Sequence, residues 1–132
     1  MTEATYGYTR NLGKVDFDSA FERIEAALKT EGFGVLTEID VKATLKKKID
    51  VDFKKYRILG ACNPKLAHHA LTSEPLIGLL LPCNVVMMEE DDGTVTVSAA
   101  KPSEMFKIVE NPGMAEVAAE VDAKIQRIVE AI

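Results

Sequence analysis

The sequence predicts an α+β domain built from one antiparallel sheet of about five strands, with two long helices on one face. Three observations lead to this fold class. Five short segments are rich in strand-forming residues, two longer segments repeat apolar side chains at helical spacing, and they alternate as β-α-β-β-β-β-α with short helical insertions. The chain has 132 residues, 47% of them hydrophobic, and no linker or repeat divides it, so residues 1–132 are expected to form a single domain.

The five predicted strands contain many β-branched and aromatic side chains, which fit a pleated sheet. Before the fifth strand, Asp91-Asp92-Gly93 is typical of a hairpin turn, because glycine adopts a positive φ at little cost. The residues after this turn alternate strictly between polar and apolar, as expected for a strand with one buried face. The strands are predicted at residues 6–10, 35–41, 56–62, 82–90 and 94–98.

Each of the two long helices carries one apolar stripe. The first is predicted from Asp16 to Thr30, with Gly32 just beyond it, where a left-handed conformation often ends a helix. The second begins at Asn111-Pro112, a capping residue followed by proline in the first turn. The stripes consist of Phe17, Phe21, Ile24 and Leu28 in the first helix and Met114, Val117, Ala118, Val121, Ile125, Ile128 and Ile132 in the second.

Shorter helical insertions are predicted between the strands. Asp40 is suited to cap a short helix that ends at Ile49, because its carboxylate can accept from the unpaired amides of the first turn. Asn63-Pro64 gives a second cap-and-proline start, for a helix that runs through Leu71. The stretch from Pro102 to Val109 is predicted as a loop with one helical turn.

With both long helices on one face, the other face of the sheet needs a cover. Val85, Met87, Val95 and Val97 are expected to supply apolar side chains there. Because removing apolar surface from water is favourable, we expect a homodimer that packs through this face.

Composition limits the partners and the compartment. The formal net charge of −5 disfavours nucleic-acid binding. The longest apolar run, 13 residues from Leu76 to Met88, is too short to span a bilayer, so no membrane partner is expected. Residues Met1 to Tyr6 lack the pattern of a secretory signal, and two cysteines without such a signal indicate free thiols in the cytoplasm.

Three segments resemble the bacterial and archaeal family called domain of unknown function 302, namely Gly34 to Val41, Tyr56 to Pro64 and Leu79 to Val85. The motifs Cys62-Asn63-Pro64 and Pro82-Cys83-Asn84 make the resemblance specific, and it extends from about Tyr6 to Ile132. The resemblance implies a small α+β domain with one antiparallel sheet, often found as a dimer. It implies no established activity.

The same two motifs contain the candidate binding residues, Cys62, Asn63, Cys83 and Asn84. Each cysteine lies at the predicted end or start of a strand, so the two thiols come close together if the strands are neighbours. We expect a pocket around these four residues that takes a small-molecule ligand. Asn63 also suits a helix cap, whereas Asn84, inside an apolar strand, needs a hydrogen-bond partner if it is buried.

Two further hypotheses give the motifs other roles. Cys62 precedes the helix that starts at Asn63-Pro64, and the positive end of a helix dipole favours thiolate, so Cys62 and Cys83 suit a thiol-based redox protein. Alternatively, the protein is a structural or interaction module without a ligand. Free cysteines are often buried and then behave as small hydrophobic residues.

A transition metal is the candidate cofactor. His68 and His69 follow Cys62 by six and seven residues, and sulfur with imidazole ligands suits zinc or another soft metal. Adjacent helical residues point about 100° apart, so only one of the two histidines can share a face with Cys62. The candidate ligands are therefore Cys62, Cys83 and either His68 or His69, although no pair has the Cys-x-x-Cys spacing typical of zinc sites.

A basic segment lies within this acidic chain. Residues 42–57 contain seven Lys or Arg against Asp50 and Asp52, a local balance of +5. Such a patch can attract an anionic ligand. We favour the alternative that it is a solvated surface or that it pairs with the acidic run Glu89 to Asp92.

Overall fold

The computed structural model describes residues 4–132, and within them the chain forms one five-stranded sheet. Its strands are β1 (Gly7–Asn11), β2 (Gly34–Asp40), β3 (Tyr56–Cys62), β4 (Cys83–Glu89) and β5 (Val95–Ala100). Their order across the sheet is β1-β5-β4-β3-β2, and every neighbouring pair is antiparallel. The predicted fold class is confirmed.

The helices occupy the gaps between strands in the predicted order. They are α1 (Phe17–Thr30), α2 (Val41–Ile49), α3 (Pro64–Ser73), α4 (Pro102–Met105) and α5 (Pro112–Ala131). Two 3₁₀ segments, Pro75–Leu80 and Phe106–Ile108, complete the structure. The first of them had no sequence-based assignment. Among residues 4–132, no helix combines the length and the apolar character needed to cross a bilayer.

The helices begin and end where the capping residues lie. Asp16 accepts a hydrogen bond from the backbone N–H of Ser19 at 3.0 Å, and Asp40 accepts one from Ala43 at 2.9 Å. Both carboxylates thereby satisfy an amide that has no partner within its helix. Just beyond α1, Gly32 has a φ of +79°, which glycine adopts at least cost.

The core lies between one face of the sheet and the helices α1 and α5. Alternation along β4 and β5 directs Val85, Met87, Val95 and Val97 into this core, where each is at most 2% exposed. The prediction that these four side chains cover the opposite face is therefore wrong. Both residue sets of β4 are apolar, so the sequence pattern of this strand did not reveal which set faces the helices.

The opposite face of the sheet, which we call the outer face, forms an open groove of about 450 Å³. The 3₁₀ segment Pro75–Leu80 and α4 contribute residues to its border. The sheet side chains that line this groove include Thr9, Asn84, Val86, Met88, Thr96 and Ser98. On this face the hydroxyl side chains of β1 and β5 thus lie beside the apolar Val86 and Met88 of β4.

Asp122 on α5 connects three elements. Its carboxylate accepts hydrogen bonds from the hydroxyl of Tyr8 at 3.0 Å and from both the backbone N–H and the hydroxyl of Ser103, at 2.9 and 2.7 Å. These bonds hold β1 and the start of α4 against α5. Burial and the bond to Asp122 raise the pKa of Tyr8, because both favour the neutral phenol.

Candidate functional site

The two cysteines meet where β3 ends and β4 begins. In the antiparallel pairing of these strands, Cys83 lies directly opposite Ala61, so Cys62 is one position further along β3. The sequence did not reveal whether these strands are neighbours, and the sheet order shows that they are. Both cysteines are free and partly buried, and both line the same cavity.

This cavity has a volume of about 320 Å³ and lies at one end of the sheet, between β2, β3, the start of β4 and the helices. Helix α3 and α5 contribute the helical walls, and Phe106 contributes from the second 3₁₀ segment. The lining residues are Phe33, Leu36, Thr37, Ala61, Cys62, Asn63, Leu66, Ala67, Ala70, Leu71, Gly78, Leu81, Pro82, Cys83, Phe106, Val117 and Val121.

The cavity lining is almost entirely apolar. Apart from the two thiols, Thr37 and Asn63 supply the polar side chains, and none of the described residues that line the cavity is charged. Burying a charge without a partner is costly, so the part of any ligand that enters this cavity is expected to be uncharged.

Asn63 has a structural role in the wall. Its side-chain oxygen accepts from the N–H of Leu66 at 3.3 Å, and its amide donates to the carbonyl of Glu31 at 3.1 Å. The first bond caps α3, as the sequence predicted, and the second attaches the start of α3 to the end of α1. Both polar ends of this side chain are therefore engaged within the protein.

Asn84 lies apart from the other three candidate residues. It pairs with Gly60 across the sheet, its side chain is exposed, and it lines the groove on the outer face. Cys62, Asn63 and Cys83 therefore line the cavity together, whereas Asn84 lines only the groove, which Cys83 also borders. An exposed amide is solvated by water, so Asn84 needs no buried partner.

The environment of the thiols favours their protonated form. Burial raises the pKa of Cys62. Burial, followed by the neighbouring Cys62 and Asp122, raises the pKa of Cys83 to about 11. Burial therefore opposes the thiolate that the start of α3 was predicted to favour at Cys62.

The predicted metal ligands do not come together. His68 and His69 both lie on the solvent-exposed surface of α3, whereas the two cysteines line the cavity. Across residues 4–132, no group of three or more His, Cys, Asp or Glu side chains is placed to hold a metal ion. The four predicted ligands therefore do not form one site, because both histidines are exposed on α3 and neither lines the cavity.

The basic segment pairs with acidic residues close to it. Arg57 contacts Asp18 at 2.8 Å and Glu38 at 3.6 Å, and Lys46 contacts Asp50 at 2.9 Å. These carboxylates reduce the local positive charge. Of the two predicted alternatives, the solvated surface is confirmed by α2, which has no buried residue, and the acidic partners come from α1, β2 and the end of α2 instead of the hairpin.

The sequence analysis did not identify several of the residues that line the cavity. Leu36 lines the cavity because β2 has an irregularity between Val35 and Thr37 that shifts its register. Leu81 and Phe106 come from segments without a predicted regular element. The apolar run after Pro75 was the available signal, since such a run outside any predicted strand or helix needs a place to pack.

The fold and this site define a small α+β domain with an open antiparallel sheet and an apolar cavity at one end. The family model described as "Domain of unknown function DUF302" matches residues 8–132, so the chain belongs to this family. The resemblance seen in the sequence is thereby confirmed.

A solved structure supports the same assignment. The crystal structure of an uncharacterized conserved DUF302 protein from Bacillus stearothermophilus is 32% identical to this chain, with a TM-score of 0.88. The match covers 97% of this chain and 98% of that one. A comparison with curated proteins finds no match.

Proposed function

We propose that this protein is a binding domain for a small ligand whose buried part is apolar and uncharged, and that the ligand occupies the cavity lined by Cys62, Asn63 and Cys83. The cavity itself carries this proposal. Its volume of about 320 Å³ lies within the range of small-molecule sites, roughly 300–1,000 Å³, and such sites are mainly apolar with a few polar groups.

The state of the thiols supports binding over thiol chemistry. A redox or metal-binding cysteine needs an accessible thiolate, and the pKa of both cysteines is raised. Protonated thiols are weak donors and polarisable apolar groups, which suits contact with an apolar ligand.

Saturation-transfer NMR with two neutral probes, cyclohexanol and indole, tests the proposal. Ala67 lines the cavity, so Ala67→Leu places extra carbon atoms in it and is expected to abolish the saturation transfer to either probe. The matched control is Ala43→Leu on exposed α2, which should bind as the unmodified protein does. Absence of transfer in the unmodified protein, or equal transfer in both variants, contradicts the proposal.

We also propose that a second copy of the chain covers the outer face. Support comes from the half-buried Val86, the 61%-exposed Tyr6 and the 83%-exposed Leu79, which give this groove apolar surface that association would bury. Sedimentation velocity should give a dimer for the unmodified protein and a monomer for Val86→Glu, because the glutamate would place a charge in the interface. A monomer at all concentrations would rule the dimer out. A cytoplasmic location remains a prediction.

A further inference from the structure

The mouth of the cavity continues as an exposed apolar rim. Leu36 and Leu71 both line the cavity, although they are 67% and 41% exposed. Gly78 lies on the same lining, and a Cβ there would meet only Leu71, at 3.9 Å, so the backbone is accessible at this point. A single exposed leucine has no special meaning, but two at the mouth of an apolar cavity extend its surface outward.

We propose that the ligand is a single unbranched hydrocarbon chain with one polar head group. The chain enters the cavity, and the carbons nearer the head lie across Leu36 and Leu71. This inference rests on the proposed binding function and specifies the class of ligand.

The exposure of the rim distinguishes a chain from a compact ligand. A compact molecule enclosed by the cavity leaves Leu36 and Leu71 exposed to water. A chain longer than the cavity covers both leucines on its way out, and each methylene that leaves water adds to affinity.

The charge distribution determines where the head group lies. None of the described lining residues carries a charge, so a charged or strongly polar head has no partner inside the cavity. The head therefore remains in water at the mouth, and the chain is inserted by its apolar end.

Calorimetric titration with a series of straight-chain carboxylates tests this inference. Octanoate, nonanoate, decanoate and undecanoate should bind with affinity that rises about two- to fourfold for each added methylene. Adamantane-1-carboxylate contains the same number of carbons as undecanoate but in a compact cage, and it should bind more weakly than undecanoate.

Variants of the rim identify the contact. Leu36→Ser with Leu71→Ser should weaken the binding of decanoate and undecanoate more than that of octanoate, which flattens the dependence of affinity on chain length. Both leucines are exposed, so the double variant is expected to keep the fold, and a circular dichroism melt checks this. Ile108→Ser is the matched control, because Ile108 is 77% exposed and lies outside the cavity lining.

The outcomes separate this inference from the function on which it rests. If the cage binds as tightly as undecanoate, the chain is excluded and the cavity still binds a compact ligand. If cyclohexanol and indole also fail to bind, both proposals fail. If the rim variant changes the sedimentation of the protein and leaves the chain-length dependence intact, the leucines belong to an interface between copies and the chain is again excluded.

Discussion

Two motifs of the same three residue types meet at one end of the sheet and take on different roles. In Cys62-Asn63-Pro64 the asparagine leaves the strand, caps α3 and donates to the carbonyl of Glu31. In Pro82-Cys83-Asn84 the proline precedes the cysteine instead of following the asparagine, and Asn84 lies within β4 with its side chain exposed on the outer face. The position of each residue relative to the strand end, more than its chemistry, determines whether it reaches the cavity.

Gly60 is where the second motif packs against β3, and its substitution should have the largest effect. A Cβ at this position would collide with the side chain of Thr37 and would lie 2.7 Å from Pro82. We expect Gly60→Ala to lower the free energy of unfolding by about 3 kcal/mol, as overpacking does. Urea denaturation measures this, with Gly34→Ala as the comparison, because a Cβ at Gly34 of β2 meets no other atom within 4 Å. A loss below about 1 kcal/mol would show that Thr37 and Pro82 move aside readily.

The pKa of Cys83 predicts a loss of stability at high pH. Its folded pKa of about 11 exceeds the value of 9.0 for a free thiol, so the unfolded chain releases this proton first. The contribution is therefore complete below pH 9 and is lost as the pH rises from 9 to 11, by about 2–3 kcal/mol.

The difference in unfolding free energy between the unmodified protein and Cys83→Ala isolates the contribution of Cys83, because the other groups titrate in both proteins. Denaturation at pH 7, 9, 10 and 11 should show that the unmodified protein loses unfolding free energy relative to Cys83→Ala only above pH 9. A constant difference across this range would mean that Cys83 is solvated in the folded state.

Asn63 and Asn84 give the sharpest test of the comparison between motifs. Asn63→Ala removes the cap of α3 and leaves the carbonyl of Glu31 without this donor, so we expect a loss of about 1–2 kcal/mol. Asn63→Asp keeps the acceptor for the cap and should recover part of that loss. Thermal unfolding of the two variants measures both quantities, and equal stability of Asn63→Ala and the unmodified protein would contradict the structural role.

Asn84→Ala should have the smallest effect, within about 0.5 kcal/mol, because an exposed side chain loses only contact with water. The same melts measure it. A loss as large as that of Asn63→Ala would show that Asn84 has a buried partner, for example in a dimer through the outer face.

The sequence-based predictions were accurate where a feature depends on residues close together in the chain and inaccurate where it depends on tertiary packing. Asp40, Asn63 and Asn111 were recognised as caps because a cap interacts with amides two or three residues away. The β-strand at Tyr56–Cys62 was placed at its observed bounds by composition alone. In contrast, Val85 and Met87 were placed on the wrong face. Because β4 has apolar side chains on both faces, its sequence pattern does not indicate which face is buried.

The cavity could not be predicted from the pattern of residues along the chain. Its wall requires the register shift at Leu36, the 3₁₀ segment around Gly78 and the approach of Phe106, and each depends on contacts between residues distant in sequence. The thiol pKa values share this dependence. A helix start next to Cys62 was visible in the sequence, but the burial that raises the pKa of Cys62 arises only when helices pack near the strand ends.

The sequence by itself determined the order of elements, the starts of the helices and the family. Capping residues, apolar periodicity and motifs each involve residues that are close together in the chain. Only the tertiary structure decided which face of β4 is buried, that Asn84 lies outside the cavity that Cys62 and Cys83 line, and that the two histidines are exposed to solvent. The physical reason is that burial depends on packing between distant segments, and burial decides both where a cavity forms and whether a thiol in it is charged.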